Sequence, residues 1–524
     1  RHAAAVAGVA ALILLLSAGV VARTLEAERA NREAERARQA LAESREVSDF
    51  LVSLFSLVDP DRGPDEPMSV DGILDRAEAS LETRLDDQPV AKARFLRTMG
   101  SVAMNLGQLE RAERLHLESL ALRERRGDVP GSRDWSRAVE IAASSSQLGI
   151  VLRRQGRFSE AEAYLDRAVE LLEVDGDPAQ LSAALTHRAN LYWRQERFED
   201  AVAGHRRALD IRSRDLPEDL DALAESLTNL GVAQRFSGRP REAAPALREA
   251  SELFAGTLGE DHPRTAVARL NLGGLEEELG RWPEAEALFK SSRASLSSHH
   301  GPSHPRTVLV HRALANLQLR WHRFEEAADL YRGLLAAQEA ADPSSIDPLG
   351  IAHTLNSLGG ALKDVGDFDG AETALRRALA IRLERLGPGH VDTAKTRAEL
   401  AGVDWRRGAP EVAEPHYRRW VELTEKRFGP EHIRTGRVLH QHGRVLLDMG
   451  RVDDAEAALR RALEIRLAHS EAPSLMLSNN LHRLGELLQG RGEEREGQEL
   501  EERALAMRRA ILPEGHPLLS DDGR

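Results

Sequence analysis

The sequence contains no cysteine, and this absence excludes disulfide bonds and thiol chemistry. It leaves the cellular compartment open. Aromatic residues are also scarce, at 4% of the 524 residues. A composition this poor in large side chains suits many small helices better than one large globular core.

Patterns for catalysis are absent as well. No serine stands in a Gly-x-Ser-x-Gly context, and no glycine-rich ATP loop, His-Arg-Asp loop or Asp-Phe-Gly segment occurs. His299, His300 and His304 form a group, but they lie in a connector, where a turn role is favoured over metal binding. Acidic runs such as 276–278 lack any sign of the sheltered pocket that acid–base catalysis needs. We therefore expect no catalytic residue, metal or cofactor in this chain, with an enzyme of unrecognised site as the alternative.

The charge pattern argues against a nucleic-acid partner. The net charge is −13, and charged residues make up 30% of the chain with both signs interleaved. Basic pairs such as Arg206-Arg207 and Arg460-Arg461 have acidic neighbours, which is typical of solvated helix faces. No basic patch of the kind that binds nucleic acid stands out.

The chain instead contains an internal repeat. A glycine, or a residue in its place, returns at intervals of mostly 42 residues and is followed five residues later by a small residue. A period in this range predicts a solenoid, in which each unit buries its apolar face only by stacking on its neighbours. The turn positions are Gly107, Gly156, Glu196, Gly238, Gly280, His322, Gly366, Gly408, Gly450 and Gly492.

Each repeat is predicted to be a helix–turn–helix hairpin. Around Gly280, a first helix opens at His262-Pro263, since proline is tolerated in a first helical turn. Gly280 ends that helix, and Pro283 begins the second. Seven residues before each turn stands a small residue, which predicts close approach of two helices. This small-residue slot holds Gly100, Gly149, Ala189, Gly231, Gly273, Ala315, Gly359, Ala401, Gly443 and Gly485.

These motifs resemble tetratricopeptide repeats (TPRs). The Leu-Gly pairs, such as Leu272-Gly273, and the aromatic residues Phe289, Tyr331 and Tyr417 match the family pattern, although its terminal proline is missing. Connectors such as 259–265 (GEDHPRT) are similar to those of the kinesin-light-chain-like subclass. The resemblance implies an all-α fold, a right-handed TPR α-solenoid of about ten helical hairpins over residues 88–512, with a tail at 513–524.

The N-terminal region predicts a membrane anchor. After a short end at 1–2, residues 3–22 carry no charge and are long enough to cross a bilayer core as a transmembrane helix. A signal peptide with cleavage after Val20-Val21-Ala22 is the alternative. A helical stalk is expected at 23–58, and a linker with a capping helix at 59–87.

A second resemblance concerns this N-terminal order. Phe50-Leu51, Leu54-Phe55, Asp59-Pro60 and Leu74 are similar to the C-terminal half of bacterial membrane-bound serine/threonine protein kinases. The resemblance implies a single-pass protein of the cell membrane with extracytoplasmic repeats, although the arginines of 23–38 favour the opposite orientation by the positive-inside rule. ATP and Mg²⁺ are expected only if a kinase domain precedes this chain.

The candidate binding residues lie on the first helix of each repeat, which lines the groove in this family. Asparagine disfavours helix interiors, so its recurrence there indicates either hydrogen bonding between helices or contact with a protein or peptide ligand. Two basic residues would add positive charge. A secreted or periplasmic TPR adaptor without a kinase is the rival interpretation, and the oligomeric state is not predicted. The candidates are Asn190, Asn229, Asn271, Arg312, Asn316, Asn356 and Lys395.

Overall fold

The computed structural model describes residues 70–85, 89–125, 135–342, 347–469 and 473–519. Every regular element within these ranges is helical, and no strand occurs among them. The predicted all-α solenoid of TPR hairpins is therefore confirmed for this part of the chain. The predicted membrane span at 3–22 and the predicted stalk at 23–58 lie outside the described residues.

The chain divides into two compact units, Arg1–Gly176 and Asp177–Arg524, called here the N-terminal and C-terminal units. In the N-terminal unit, α1 precedes two hairpins, α2/α3 and α4/α5, and shares an apolar cluster with the first of them through Leu74 and Leu81. A capping helix is expected at that position. The helices are α1 (Val70–Arg84), α2 (Pro89–Asn105), α3 (Leu109–Glu124), α4 (Trp135–Gln155) and α5 (Phe158–Asp175).

The C-terminal unit continues the same pattern, with successive helices pairing as hairpins and each hairpin packing on the next. A short 3-10 helix, Pro517–Leu519, follows the last hairpin. The helices are α6 (Pro178–Arg194), α7 (Phe198–Asp215), α8 (Leu220–Phe236), α9 (Pro240–Leu258), α10 (Pro263–Glu278), α11 (Trp282–His300), α12 (Pro305–Arg320), α13 (Phe324–Glu339), α14 (Pro348–Val365), α15 (Phe368–Leu386), α16 (Val391–Arg406), α17 (Pro410–Phe428), α18 (Ile433–Asp448), α19 (Val452–His469), α20 (Leu475–Gly490) and α21 (Glu494–Ile511).

The turn inside each hairpin is closed by a left-handed residue. Gly280 has φ +78°, and the next backbone N–H, that of Arg281, donates to the carbonyl of Glu276 at 2.8 Å. This bond closes the Schellman motif, which favours glycine because a side chain is disfavoured at positive φ. Glu196 (φ 62°) and His322 (φ 59°) hold the same conformation without being glycine. The periodic turn residue in the sequence therefore reflects the left-handed backbone conformation that each hairpin turn requires.

The small-residue slot receives one large side chain from the second helix of the same hairpin. A Cβ at Gly231 would lie 2.5 Å from Cγ of Leu247, and one at Gly273 would lie 2.7 Å from the ring of Phe289. No real Cβ contact is that short, so a larger residue would force the two helices apart. The packing reason predicted for these small residues is thus confirmed at both positions.

The connectors between repeats carry a histidine cap. The Nδ1 atom of His262 accepts a hydrogen bond from the backbone N–H of Arg264 at 3.1 Å. The hydroxyl of Thr265 donates to the carbonyl of Gly259 at 2.8 Å and ties the start of α10 to the end of α9. His304, His390 and His432 cap their helices through Nδ1 in the same way. Each is thereby a structural acceptor.

An arginine that is buried (Arg382, Arg466) or half-buried (Arg212) links each of three hairpins to the next one. The guanidinium of Arg212 in α7 donates to the carbonyl of Ala222 in α8 at 2.8 Å. Arg382 in α15 donates to the carbonyl of Asp392 at 2.9 Å, and Arg466 in α19 donates to that of Met476. Each bond is made to a carbonyl in the first turn of the following helix, which can accept a second hydrogen bond besides its helical one.

The predicted localisation needs correction. Among the described helices, none has a stretch that is both long and apolar enough to cross a bilayer, because charged residues recur along their exposed faces. By this finding, the expectation of a single-pass membrane protein is wrong for the described residues.

Candidate peptide-binding groove

The first helices of the C-terminal unit share one face, called here the groove face. Residues spaced by three or four along a helix lie on the same side, and the stacking of repeats aligns these sides. On this face a cavity of about 300 Å³ opens between α12, α14, α16 and α18. We call it the polar pocket. It is bounded by Asn316, Asn356, Lys395, Glu399 and Arg444, among others.

The structure brings three of the seven predicted residues together in this pocket, namely Asn316, Asn356 and Lys395. Asn190, Asn229 and Asn271 lie on earlier first helices, half-buried, and none of them makes a side-chain hydrogen bond within the described residues. These three amides are therefore available to a ligand.

Arg312 and Asn356 each lie three residues before the small-residue slot, one residue earlier than Asn229 and Asn271 do in their helices. Their side chains turn toward the interior. The Nη2 atom of Arg312 lies 2.5 Å from Nε2 of His353, and burial followed by Arg312 lowers the pKa of His353 to about 4. Asn356 is buried, and its Oδ1 accepts from the hydroxyl of Thr396 at 3.0 Å and from Arg382 at 3.3 Å. Both residues therefore have structural partners.

Tyr331 and Tyr417 pack against the small-residue slots of their hairpins and also reach the polar pocket. The ring of Tyr331 packs at Ala315, and its hydroxyl donates to Oδ1 of Asn316 at 2.7 Å. Burial raises the pKa of Tyr331 and that of Tyr417 to about 12, so both hydroxyls stay protonated. Sequence reasoning placed these side chains in the aromatic slot and missed their polar ends. The sequence feature that could have indicated these polar contacts is the presence of tyrosine where other repeats have phenylalanine or leucine.

A half-buried ion pair forms one wall of the polar pocket. The Nζ atom of Lys363 lies 2.7 Å from Oε2 of Glu399 on the next first helix. Burial alone would raise the pKa of Glu399, but Lys363, and then Lys395 and Arg437, outweigh burial and lower it. A Cβ at Gly402 would lie 3.2 Å from that Nζ atom, so the glycine leaves room for the lysine.

Three further cations near the pocket have no carboxylate partner. Lys395, half-buried, makes no hydrogen bond or ion pair with any described residue. Burial lowers its pKa, and Glu399 offsets this effect only in part. Arg437 occupies the equivalent position on α18 and likewise has no ion-pair partner among the described residues.

Arg444 is the third of these cations. It donates to Gln441 at 3.2 Å, and its guanidinium carbon lies 5.2 Å from the ring centroid of Trp405. Asp364 is the one other carboxylate on the described pocket wall besides Glu399, and burial raises its pKa. Positive charge therefore exceeds negative charge at this end of the groove face. Such an arrangement favours an anionic ligand group.

No site for a metal ion was found among the described residues, where no group of three or more histidine, aspartate or glutamate side chains is suitably placed. The chemistry available at the groove face is hydrogen bonding and charge pairing.

Comparison with known proteins places these repeats in one family. Two models described as "Tetratricopeptide repeat" match more than half of the chain, and no curated protein matches it. The matches cover residues 140–213, 180–256, 246–298, 264–340, 350–426, 399–468 and 481–518.

Several solved structures are similar at low identity. BtubC (BKLC) from P. vanneervenii is 21% identical, with 49% of this chain and 94% of that chain covered and a TM-score of 0.38. TPR-like repeats of a Podosopora anserina protein described as a kinesin light chain are 20% identical, with 40% and 98% covered and a TM-score of 0.37. A Rap protein complexed with Competence and Sporulation Factor is 12% identical, with 81% and 99% covered and a TM-score of 0.48.

Proposed function

We propose, from the premise that this chain belongs to the tetratricopeptide repeat family, that it is a scaffold for protein–protein interaction whose C-terminal unit binds an extended peptide segment. The segment lies along the groove face, and an acidic group of the ligand is held at the polar pocket. The observation that carries this proposal is Lys395, a half-buried cation without a hydrogen-bond or ion-pair partner among the described residues.

The earlier part of the groove face suits a peptide backbone. An asparagine amide both donates and accepts, as a peptide unit does. Asn229 and Asn271 occupy equivalent positions on α8 and α10, two residues before the small-residue slot, so their amides are presented in register. Phe236 and Leu309 on the same set of first helices are 48% and 55% exposed, and they offer apolar contact to ligand side chains.

The later part suits a carboxylate. Lys395 and Arg437 occupy equivalent positions on α16 and α18, and Arg444 lies two turns further along α18. A cation that is partly removed from water and lacks a protein partner gains most from an incoming anion. We therefore propose an acidic side chain or a C-terminal carboxylate as the anchoring group of the peptide.

The test is selection from a phage-displayed library of random peptides on the full-length protein. We expect enrichment of peptides with aspartate or glutamate, and about a tenfold loss of affinity for them in Lys395→Gln. Lys426→Gln is the matched control, because Lys426 is an exposed lysine on the second helix α17. Equal affinity in wild type and Lys395→Gln would refute the anchor, and no enrichment of any peptide would refute the function.

The asparagines are tested separately. The double change Asn229→Ala with Asn271→Ala should weaken the selected peptides while helicity, measured by far-UV circular dichroism, stays unchanged. Loss of helicity instead of binding would assign these asparagines a structural role.

A second proposal rests on the resemblance at Phe50-Leu51, Leu54-Phe55 and Asp59-Pro60, which lie outside the described residues. The scaffold would then be the interaction region of a bacterial serine/threonine protein kinase. The coding sequence ahead of Arg1 tests this proposal, since it should encode a glycine-rich ATP loop and a His-Arg-Asp loop. A coding sequence without them would contradict it.

A further inference from the structure

The segment after the last hairpin folds back onto the middle of the C-terminal unit. The Nε2 atom of His516 donates to the backbone carbonyl of Arg320, 2.9 Å away and 196 residues earlier in the chain. The His516 ring lies 5.3 Å from the Trp282 ring and 5.2 Å from the His322 ring, nearly perpendicular to both. His516 and Trp282 are both buried, at 2% and 3% exposed. One residue of the segment thus bridges two hairpin turns.

Apolar side chains extend this contact. Leu512 is buried in a cluster that includes Trp282 and Leu317, and Leu518 packs against the same cluster. The chain passes so close to the α10/α11 turn that a Cβ at Gly280 would lie 2.7 Å from the carbonyl oxygen of Ile511. The segment is therefore fitted to this edge of the unit.

The contact also accounts for a departure from the repeat pattern. Most repeats have glycine at the turn, whereas His322 holds a left-handed conformation (φ 59°) that costs a non-glycine residue about 1 kcal/mol. Its ring faces both His516 and Phe324, which it meets at 5.2 Å. A histidine at this turn supplies a contact that glycine cannot.

We infer that residues 511–519 form an intramolecular clasp, which docks on the turn edge made by Gly280, Trp282, Trp321 and His322. The clasp joins the last hairpin to the hairpins α10/α11 and α12/α13. The polar pocket begins at the docked hairpin α12/α13, and the other helices that enclose it, α14 to α18, lie between the two joined points along the chain. Docking of the clasp therefore fixes the curvature of the repeats around the pocket, and its release lets them spread.

The clasp requires a neutral His516. Its Nδ1 accepts from the backbone N–H of Leu518 at 3.1 Å while its Nε2 donates to Arg320, so one neutral tautomer satisfies both bonds. A protonated ring carries N–H at both nitrogens and loses the first bond. Burial lowers the pKa of His516, its bond to the Arg320 carbonyl offsets this in part, and Arg508 lowers it further. Burial, then His516 and Arg508, lower the pKa of His322.

The other charged groups around His516 do not relieve this effect. Arg320 is paired with Glu277 at 2.9 Å, and Arg323 lies over the Trp321 ring at 3.9 Å. Burial raises the pKa of Glu277, so acid also weakens its pair with Arg320. Acidification therefore adds positive charge at the dock and removes negative charge from it. The clasp is expected to open as the pH falls.

A distance measurement tests the clasp without any ligand. Because the chain has no cysteine, Ala287→Cys on α11 and Ala506→Cys on α21, both exposed, place two spin labels uniquely. Double electron–electron resonance on the full chain should give one narrow distance distribution at about pH 7.5, and a longer and broader one at about pH 5. His516→Ala should show the long distribution at both values.

Matched glycine variants separate the clasp from general strain. Gly280→Ala and Gly238→Ala introduce a side chain at nearly the same φ, +78° and +79°, but only Gly280 faces the segment, since nothing lies within 4 Å of a Cβ at Gly238. We expect Gly280→Ala to shift the distribution to longer distances and Gly238→Ala to leave it as in wild type. An unshifted distribution in both His516→Ala and Gly280→Ala would overturn the clasp. A wild-type distribution that does not change with pH would overturn its dependence on neutral His516.

Discussion

The hydroxyl of Tyr331 donates a hydrogen bond to Oδ1 of Asn316, 2.7 Å away, and so connects the second helix of one hairpin to the groove face of its first helix. This bond orients the Asn316 amide, leaving its NH₂ group as the end presented to a ligand. The Tyr331 side chain thus contributes both to the interior packing of the hairpin and to the candidate site.

The change Tyr331→Phe should separate these two roles. Phenylalanine fills the same slot in the neighbouring hairpin as Phe289, so packing is kept and only the hydroxyl is lost. We expect a loss of about 0.5–1.5 kcal/mol in the free energy of unfolding, measured by urea denaturation. The affinity for selected peptides should fall as well, because the amide is no longer oriented. Unchanged affinity would show that Asn316 does not contact the ligand.

Some hairpins have alanine in the small-residue slot, but where a glycine faces a large side chain closely, as Gly273 faces Phe289, we expect the slot to reject even one methyl group. For Gly273→Ala we expect a loss of about 1–3 kcal/mol, because the new Cβ would lie 2.7 Å from the Phe289 ring. The control Gly333→Ala, on helix α13 with nothing within 4 Å, should instead gain about 0.5–1 kcal/mol from helix propensity. Thermal unfolding of both variants checks the difference in sign. Equal effects would refute the packing role of the slot.

Buried neutral histidines should make the fold sensitive to acid. His116 and His205 occupy the large-residue position of their hairpins, and burial lowers the pKa of each to about 4. Since their pKa in the unfolded chain is near 6.5, the folded state is favoured above that pH and loses stability as the pH falls from 6.5 toward 4. Each could contribute a loss of about 3 kcal/mol.

The measurement is the melting temperature as a function of pH. His116→Leu places there the residue that Leu165 provides in the next hairpin, and the variant should lose less stability than wild type between pH 6.5 and 4. Substitution of the exposed His416 by glutamine should leave the pH profile unchanged. A His116→Leu profile parallel to that of wild type would contradict the prediction.

The stabilising effect of the half-buried pair of Lys363 and Glu399 should depend on both partners. Lys363→Met leaves the Glu399 carboxylate without its hydrogen-bonded cation, with only Lys395 and Arg437 nearby, and we expect a loss of about 1–3 kcal/mol in the free energy of unfolding. Adding Glu399→Gln should restore most of that loss. Lys290→Met removes an exposed lysine 2.6 Å from Glu286, and because Gln318 still donates to that carboxylate, the change should cost less than about 1 kcal/mol. Additive effects of the two changes at 363 and 399 would show that the pair is not coupled.

The fold was largely predictable because its requirements are local. The left-handed turn needs glycine or a tolerated substitute, and the close approach of two helices needs a small residue, so both leave a periodic mark in the sequence. Gly231 and Gly280 illustrate the two cases. No periodic feature of the sequence indicates that the repeats divide into two compact units at Gly176.

The candidate site was less predictable, because its partners come from neighbouring repeats. Lys363 pairs with Glu399, 36 residues later, and the sequence does not show which of two lysines, Lys363 or Lys395, receives that carboxylate. Asn316 lies one residue after its small-residue slot and Asn356 lies three residues before its own, so their registers differ by about one helical turn. One amide is bound by Tyr331 at the groove face and the other by Arg382, and the sequence does not show these partners. The return of His516 to Arg320 depends on the accumulated rotation of several hairpins, and no short motif encodes it.

The arginines that join successive hairpins bind main-chain oxygens, and the residues that offer those oxygens are an alanine, an aspartate and a methionine, Ala222, Asp392 and Met476. The junction therefore does not depend on which side chain stands at the receiving position. Any hairpin whose first helix begins at the same place can follow a hairpin that carries the arginine. A chain built in this way can duplicate, delete or exchange whole repeats, and so alter its groove face, while the joints between repeats are preserved.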